Sequence, residues 1–262
     1  MRLSIQTIIL SLLALTLSSP LPIPDTTSTS LEPQLVNRET SLNAFITLLL
    51  NNLPSSLTGT LSSVVGLLTS FEQLVAMLSG EQTTYNQVGN GAACKEYTVV
   101  FARGTSEPGN VGILVGPPFF EALKSAVGSG NVAIQGVNDY SASVPAYLAG
   151  GDPVGSAEMA TQIQAAQSAC PNTKLIASGY SQGGQIVHNA IGLLPASVAS
   201  WISKVVIFGD PDDGTALPNV AASKVDVYCH AGDNICVNGD LILIPHLTYA
   251  ENAAAAAAFV AS

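Results

Sequence analysis

The sequence predicts an α/β fold: a five-stranded parallel sheet covered by helices on both faces as a three-layer sandwich, with an extra helical segment before it. From Cys94 onward, short apolar or β-branched runs alternate with helical stretches. Such alternation is typical of parallel sheets whose connecting helices cover both faces. Before that point the apolar residues recur at helical spacing instead, which indicates helices without strands.

Five runs have the length and composition of buried strands, at 97–101, 132–137, 175–178, 205–208 and 225–228. Four longer stretches are predicted as helices, at 118–127, 156–169, 182–193 and 251–260. The last of these contains a run of alanines, the strongest helix former. These elements together predict one domain over residues 94–262.

The residues before this domain divide into four segments. Residues 1–19 contain Arg2, then an apolar run that is too short to span a bilayer, and then small residues. This order is typical of a cleaved secretory signal. Residues 20–40 are rich in Pro, Ser and Thr and predict a flexible tail. Residues 41–80 predict two helices, the second with an apolar stripe over 57–78. Residues 81–93 are polar and glycine-rich and predict a linker.

Composition narrows the class of protein. The 262 residues are 47% hydrophobic and 10% charged, which is enough apolar material for a sizeable core. The net charge is -10 with only 8 Lys and Arg. Because nucleic-acid binding needs a basic face, we expect no nucleic-acid partner. After the signal no uncharged apolar run is long enough to span a membrane, so we expect an exported protein without a membrane span. We also expect a monomer.

The four cysteines fit an exported protein, in which an even number predicts disulfides. Three pairings are open, and we favour Cys94–Cys170 together with Cys229–Cys236. Cys94 and Cys170 each precede a predicted strand, so neighbouring parallel strands would bring them together. The cysteine and histidine spacings do not match a zinc site, and we expect no metal and no cofactor.

The sharpest motif is Gly179-Tyr180-Ser181-Gln182-Gly183, a G-x-S-x-G sequence between a predicted strand and a predicted helix. This context is that of the nucleophile elbow of α/β-hydrolases. The turn is so tight that side chains at Gly179 and Gly183 would clash with nearby backbone. Ser181 is therefore predicted as an exposed, strained nucleophile.

A serine hydroxyl needs a base, and the chain has three histidines. His188 lies two turns down the elbow helix and cannot reach Ser181, and His230 precedes the acid candidate. His246 follows the last strand, and it fits the chain order of serine, acid and histidine. We predict His246 as the base.

The acid must lie between Ser181 and His246. Asp233 is favoured because a loop closed by Cys229 and Cys236 would hold it rigidly, and an acid that orients an imidazole needs such rigidity. The rival is the group Asp210, Asp212 and Asp213, whose commoner meaning is a turn with solvated carboxylates.

The oxyanion of acyl transfer needs donors. The backbone N–H of Gln182 is one candidate, and Thr105, after the first strand, is the second with its N–H and hydroxyl. An acyl chain would need apolar walls, for which we predict Leu241, Ile242 and Leu243 on one side and Tyr147 and Leu148 on the other. Ordinary core packing is an equally good interpretation of these five residues.

Several blocks together resemble the fungal cutinases: 102–110, Cys170-Pro171, 179–183, the Cys229–Cys236 loop and 245–249. The resemblance implies a small α/β-hydrolase without metal that hydrolyses ester bonds in cutin, the polyester of the plant cuticle. It also implies a Ser181–Asp233–His246 triad, an oxyanion hole of Thr105 and Gln182, and both favoured disulfides. The sequence departs from the family at Thr105, where serine is frequent, and in the 41–79 segment, which has no counterpart in the family core.

We therefore expect a secreted serine esterase whose substrate is cutin or a similar polymeric ester. An acetylxylan esterase or another short-chain carboxylesterase is the alternative within the same chemistry. A non-catalytic surface or plant-interaction protein on a hydrolase scaffold is the alternative of another class. For the apolar stripe over 57–78 we keep two interpretations: a helix that limits access to the active site, or a brace that packs elsewhere or against another chain.

Overall fold

The computed structural model of the chain describes Ile46, residues 58–89 and residues 93–262. The predicted signal at 1–19, the predicted tail at 20–40 and most of the first predicted helix lie outside the described residues. In chain order the strands are β1 (Gly59–Thr60), β2 (Tyr97–Ala102), β3 (Val132–Gly136), β4 (Lys174–Tyr180), β5 (Lys204–Phe208), β6 (Val225–Tyr228) and β7 (Leu241–Ile242). The α-helices are α1 (Leu61–Ser79), α2 (Gly116–Val127), α3 (Val144–Leu148), α4 (Pro153–Ala169), α5 (Gln182–Leu193), α6 (Ala196–Trp201) and α7 (Ala253–Ala261).

Strands β2 to β6 form the five-stranded sheet, in the spatial order β3-β2-β4-β5-β6 with every pairing parallel. All five predicted strands are present, and each has bounds within two residues of the prediction. The predicted fold class is confirmed. Helices α2, α4, α5 and α7 correspond to the four predicted helices. The short helices α3 and α6 and the pair β1–β7 were not predicted, because a few residues are too short to show a period.

Helices cover both faces of the sheet. Along β2, Val99 and Phe101 belong to one hydrophobic cluster, whereas Val100 and Ala102 belong to the other. The first cluster also takes in buried residues of α1, α2 and α7, and the second takes in those of α4 and α5. The alternation of side chains along a strand therefore divides the apolar core into two layers.

Both favoured disulfides are present. Cys94–Cys170 joins the segment before β2 to the end of α4, and Cys229–Cys236 closes the loop after β6. No cysteine of the described residues is free.

The segment predicted as a linker over 81–93 is packed where the structure describes it. Its backbone runs antiparallel to the edge strand β3: Gln87 N–H donates to the Ile134 carbonyl at 3.1 Å, and Gly136 N–H donates to the Tyr85 carbonyl at 2.9 Å. The buried Tyr85 ring lies edge-on to Phe120 at 5.7 Å. The polar composition predicts a linker, but the backbone of residues 85–87 pairs with the edge of the sheet.

Helix α1 begins at Leu61 and ends at Ser79, with Gly80 in a left-handed conformation as its C-cap. Four residues of the predicted apolar stripe, Leu61, Val64, Leu68 and Val75, are buried together with Glu72, whereas Leu78 at its end is exposed and Leu57 lies outside the described residues. Of the described residues, α1 is the one helix whose length and composition would also fit a membrane span. Here the stripe packs on the α/β domain, and β1 just before it pairs antiparallel with β7.

Candidate active site

Ser181 lies in a tight turn between β4 and α5, with backbone angles of φ 56° and ψ -121°. A positive φ is rare outside glycine and signals strain at this position. The two glycines of the motif permit it. A Cβ atom on Gly179 would lie 2.2 Å from the Gly183 carbonyl oxygen, and one on Gly183 would lie 2.0 Å from the Ala102 carbonyl oxygen. This geometry is that of a nucleophile elbow.

Three side chains form a hydrogen-bonded chain that starts at the elbow. Ser181 Oγ lies 2.9 Å from His246 Nε2, and His246 Nδ1 lies 2.8 Å from Asp233 Oδ2. Asp233 comes from the loop closed by Cys229–Cys236, and His246 comes from the 3-10 turn Ile244–Leu247 after β7. In such a chain the imidazole can take the serine proton while the carboxylate holds its tautomer.

Asp233 is buried, yet it is arranged to stay ionised. Burial alone would raise its pKa, but hydrogen bonds from His246, from the Tyr249 hydroxyl and from the Ile235 N–H outweigh burial and hold the pKa below its usual range. The carboxylate therefore carries its charge at neutral pH, as the orienting role requires.

His246 is also held in place by Tyr180, the last residue of β4. The Tyr180 hydroxyl donates to the His246 carbonyl at 2.8 Å, and the Tyr180 ring stacks on the imidazole at 5.2 Å. Tyr180 is a variable position of the G-x-S-x-G pattern, so the motif gave no signal for this contact.

The remaining histidines and Asp210 have other partners. His188 Nε2 lies 2.9 Å from Asp210 Oδ2, so the rival acid is paired with a histidine that cannot reach Ser181. His230 lies behind the catalytic turn: its Nδ1 is 3.0 Å from the Pro245 carbonyl and its Nε2 is 2.7 Å from Asn252 Oδ1. His230 thus ties the loop of Asp233 to the turn of His246, a contact that sequence spacing did not reveal.

The predicted oxyanion donors lie together beside Ser181. Gln182 is the first residue of α5, where N–H groups have no intrahelical acceptor. Its side-chain amide donates to Thr105 Oγ1 and to the Ser143 carbonyl, each at 2.9 Å. Because the Thr105 oxygen accepts this bond, its hydroxyl proton is available for a substrate oxygen. Sequence reasoning considered only the backbone of Gln182 and missed the amide that aligns Thr105.

The loop that carries Thr105 is held from below by Glu107. This buried carboxylate accepts hydrogen bonds from the N–H groups of Gly104, Ile113 and Leu114 at 2.8 to 3.0 Å. A carboxylate that accepts three backbone donors fixes its loop strongly, since charged hydrogen bonds exceed neutral ones in strength.

The predicted substrate residues separate into two groups. Tyr147 and Leu148 line a cleft of about 520 Å³, and the Tyr147 hydroxyl donates to the Gly239 carbonyl on the opposite rim. Leu241, Ile242 and Leu243 do not line this cleft. Leu241 and Ile242 pair with β1 instead, and Ile242 is buried in the cluster that includes α1.

Helix α1 and β1 contact the rim of the site. Thr69 Oγ1 lies 2.9 Å from Ser106 Oγ in the loop that carries the predicted oxyanion donor Thr105, which we call the oxyanion loop. The Leu61 N–H donates to the Asp240 carbonyl at 2.7 Å. The predicted exposure of Ser181 is not observed: Ser181 is 5% exposed and His246 is 2% exposed. Within the described residues, no group of three or more His, Cys, Asp or Glu side chains is arranged to hold a metal.

A strained serine at a strand–helix turn, followed in the chain by an aspartate and a histidine that meet it, defines a serine hydrolase of the α/β-hydrolase fold. Comparison with known proteins identifies the kind. The Cutinase family model matches residues 93–262, and the chain belongs to the cutinase family. It is accordingly a carboxylic ester hydrolase.

Two relatives and one solved structure illustrate the match. The cutinase of Botryotinia fuckeliana is 59% identical over 168 residues, which cover 64% of this chain and 83% of the relative. The cutinase of Hypocrea jecorina is 47% identical over 230 residues, covering 87% and 89%. The Trichoderma reesei cutinase in complex with a C11Y4 phosphonate inhibitor is 46% identical, with a TM-score of 0.70, covering 85% of this chain and 99% of that one. The longer matches extend into the region before residue 93.

The two disulfides are expected to differ in what they stabilise. Replacing Cys229 and Cys236 by serine opens a loop of separation 7, which the loop-entropy relation values at about 2–3 kcal/mol. The same change at Cys94 and Cys170 opens a loop of separation 76, worth about 4–5 kcal/mol. We expect the larger fall in turnover in the Cys229/Cys236 variant and the larger fall in melting temperature in the Cys94/Cys170 variant.

Measuring ester hydrolysis and thermal unfolding on both variants tests whether turnover and melting temperature respond in this opposite order. If the Cys229/Cys236 variant kept wild-type turnover while folded, the rigidity of this loop would not matter for Asp233.

Proposed function

We propose that the chain is an exported serine esterase that hydrolyses ester bonds of cutin through a covalent acyl-enzyme. The observation that carries the proposal is the continuous chain from Ser181 Oγ through His246 to Asp233 Oδ2 at 2.9 and 2.8 Å. Cutin is the substrate because relatives 47% to 59% identical carry the name cutinase. Export agrees with two disulfides, which persist in oxidising compartments.

In the proposed first step Ser181 Oγ attacks the ester carbonyl while His246 Nε2 takes the hydroxyl proton. Asp233 stabilises the imidazolium that forms, and the negative oxygen is received by the Gln182 N–H and by the Thr105 hydroxyl and N–H. His246 then returns the proton to the leaving alcohol. A water molecule repeats the sequence on the acyl-enzyme and releases the acid.

The acyl chain is proposed to lie between two rims. Tyr147 and Leu148 form one, and Leu148 is 59% exposed. Leu241, Ile242 and Leu243 form the other once β1 and α1 have moved away, since β1 now pairs with Leu241 and Ile242.

Of the two interpretations of α1, we propose that it limits access to the site. The contacts that support this are those of α1 and β1 with the oxyanion loop at Ser106 and with the rim at Asp240 and β7. With these contacts in place Ser181 is 5% exposed, and we propose that a polymer segment reaches it only after they open. Movement of α1 is therefore proposed as a step that precedes hydrolysis of bulky esters.

A buried pair of acids makes this docking sensitive to pH. Glu72 of α1 is 3% exposed, and one of its carboxyl oxygens has no hydrogen-bond partner. Burial and the nearby Glu107 raise the pKa of Glu72 well above its usual range. Burial raises the pKa of Glu107 as well, but its three backbone hydrogen bonds and the nearby Arg103 oppose that rise, whereas Glu107 adds to the rise at Glu72. We therefore assign the charge to Glu107 and the proton to Glu72. Tyr180 also interacts electrostatically with Glu72.

The first test concerns the chemistry. Ser181→Ala and His246→Gln should each lower ester hydrolysis by a factor of about 10⁴ or more, because loss of a triad member elsewhere has that effect. His188→Gln, whose partner is Asp210, is the matched control and should keep near-normal activity. Hydrolysis of short and medium nitrophenyl esters, cutin and acetylated xylan should be measured side by side.

A folded Ser181→Ala protein with a tenth of wild-type activity would rule out Ser181 as nucleophile. Faster hydrolysis of acetylated xylan than of cutin would select the acetylxylan esterase alternative, and an inactive wild-type protein would select the non-catalytic one.

The second test locks α1. Thr69→Cys with Ser106→Cys places two thiols where the hydroxyl oxygens are 2.9 Å apart. The cross-linked protein should hydrolyse bulky and polymeric esters about tenfold more slowly or worse, because the open fraction limits the rate. The same protein with both new thiols alkylated, and each single variant, are the controls. Equal rates with and without the cross-link, verified by mass spectrometry, would make α1 a brace.

The third test is the pH dependence of docking. A group whose folded pKa is raised stabilises the folded form at low pH, and this stabilisation is lost as pH rises through the folded value. Docking of α1 should therefore weaken above the usual glutamate range, so that the ratio of bulky-ester to small-ester hydrolysis rises with pH. Glu72→Gln keeps a neutral side chain at every pH and should flatten that ratio. A ratio that rises equally in both proteins would contradict the assignment to Glu72.

A further inference from the structure

Tyr249 is a fully buried residue that touches the triad. It begins the 3-10 turn Tyr249–Asn252, immediately after the turn that carries His246, and its exposed fraction is 0%. Its hydroxyl lies 2.6 Å from Asp233 Oδ2, the same oxygen that faces His246 Nδ1. The chemistry described above does not use this hydroxyl.

The direction of the Tyr249 hydrogen bond follows from its neighbours. The His230 N–H donates to the Tyr249 oxygen at 2.9 Å, so the phenolic proton points elsewhere. Asp233 is ionised and can only accept. Burial and the adjacent Asp233 carboxylate raise the pKa of the Tyr249 hydroxyl, which keeps its proton. Tyr249 thus donates to Asp233.

The Tyr249 hydroxyl is held independently of any substrate. The His230 ring stacks on the Tyr249 ring at 4.2 Å, with an angle of 25° between the planes. His230 is in turn bonded to Pro245 and to Asn252, on either side of Tyr249 in the chain. The donor therefore occupies a fixed position relative to both Asp233 and His246.

We propose that Tyr249 is a positioning residue of the esterase reaction, whose hydroxyl aims Asp233 Oδ2 at His246 and sets how much negative charge that oxygen presents to the imidazole. This inference rests on the proposed function. Asp233 Oδ2 divides its charge between two donors, and Oδ1 is held by the Ile235 N–H at 3.0 Å. Removing the Tyr249 donor leaves more charge facing His246 and frees the carboxylate to rotate.

The two consequences have separate readouts. More charge on Oδ2 stabilises the imidazolium, so the acid limb of the activity profile moves to higher pH. A less constrained carboxylate orients the imidazole less well, so kcat on the plateau falls. KM is expected to stay the same, since Tyr249 is fully buried behind Asp233 and does not touch the cleft lined by Tyr147 and Leu148.

The test is Tyr249→Phe in the full chain, with a small soluble nitrophenyl ester and kcat and KM measured across pH. We expect kcat on the plateau to fall about tenfold and the acid limb to move up by about half a pH unit or more, as part of a charged hydrogen bond is lost. The matched control is Tyr228→Phe, which removes a hydroxyl that lies 2.8 Å from the Asp226 carboxylate, away from the triad. This control should leave both quantities unchanged.

Site-specific replacement of Tyr249 by 3-fluorotyrosine provides a second variant that keeps the ring and the hydroxyl. Its phenol is a stronger donor, so the acid limb should move to lower pH, opposite to the phenylalanine variant. If both proteins fold and the acid limb stays at the wild-type position, the hydroxyl is structural and the proposal fails. If Tyr249→Phe does not fold, an unmoved limb in the fluorotyrosine protein overturns it equally. Failure of the esterase function itself would be seen separately, as inactivity of the wild type and of Tyr228→Phe.

Discussion

The left-handed backbone of Ser181 is the constraint on which the rest of the site depends. A residue with φ of 56° is unfavourable by itself, and it persists because its surroundings leave no alternative. The Ser181 N–H donates to the Phe208 carbonyl of β5 at 2.9 Å, and the Gly184 N–H donates to the Ser181 carbonyl at 2.7 Å. The strain is thus opposed by hydrogen bonds of the sheet and of the helix, and the hydroxyl is directed away from both.

Three buried carboxyl groups near this serine differ in the hydrogen-bond donors that they receive. Asp233 receives donors from His246, Tyr249 and Ile235 and keeps its charge. Glu107 receives three backbone donors and serves as a rigid support for the oxyanion loop. One carboxyl oxygen of Glu72 has no hydrogen-bond partner, and burial together with Glu107 raises the pKa of Glu72 well above its usual range, which favours the neutral form. Burial raises the pKa at all three carboxyl groups, and the donors that oppose it differ: they outweigh burial at Asp233 and only reduce its effect at Glu107.

The sequence predicted the sheet, its order of elements and the three residues that meet at the elbow, because each leaves a local pattern. Strand runs, the glycines around Ser181 and the disulfide-closed loop of Asp233 are of this kind. The contacts that were missed join positions far apart in the chain. The amide of Gln182 on Thr105, the hydroxyl of Tyr180 on His246 and that of Tyr249 on Asp233 depend on the folded geometry and carry no period or spacing.

The segment around Tyr85 shows the opposite failure, in which a local pattern misleads. Its polar composition is typical of a linker, yet its backbone N–H and C=O groups form hydrogen bonds with the edge strand β3. Composition reports whether a side chain favours water, but it does not report that a neighbouring strand has unpaired backbone groups to offer.

The pairing register of β4 with its neighbours has a consequence for how such an enzyme can diverge. Ala102 pairs with Gly179, and Phe208 pairs with Tyr180. Strands β2, β4 and β5 therefore end at the same height, and the oxyanion loop, Ser181 and the segment that leads to Asp233 all begin at this edge of the sheet. The common height of the strand ends is fixed by the hydrogen bonds between buried strands, because a single inserted residue would move every later side chain of its strand to the opposite face. An insertion in a loop after the strand ends has no such effect on the sheet. A lineage can therefore lengthen, shorten or rewrite its rims, and so change which polymers it digests, while the reacting atoms stay in place.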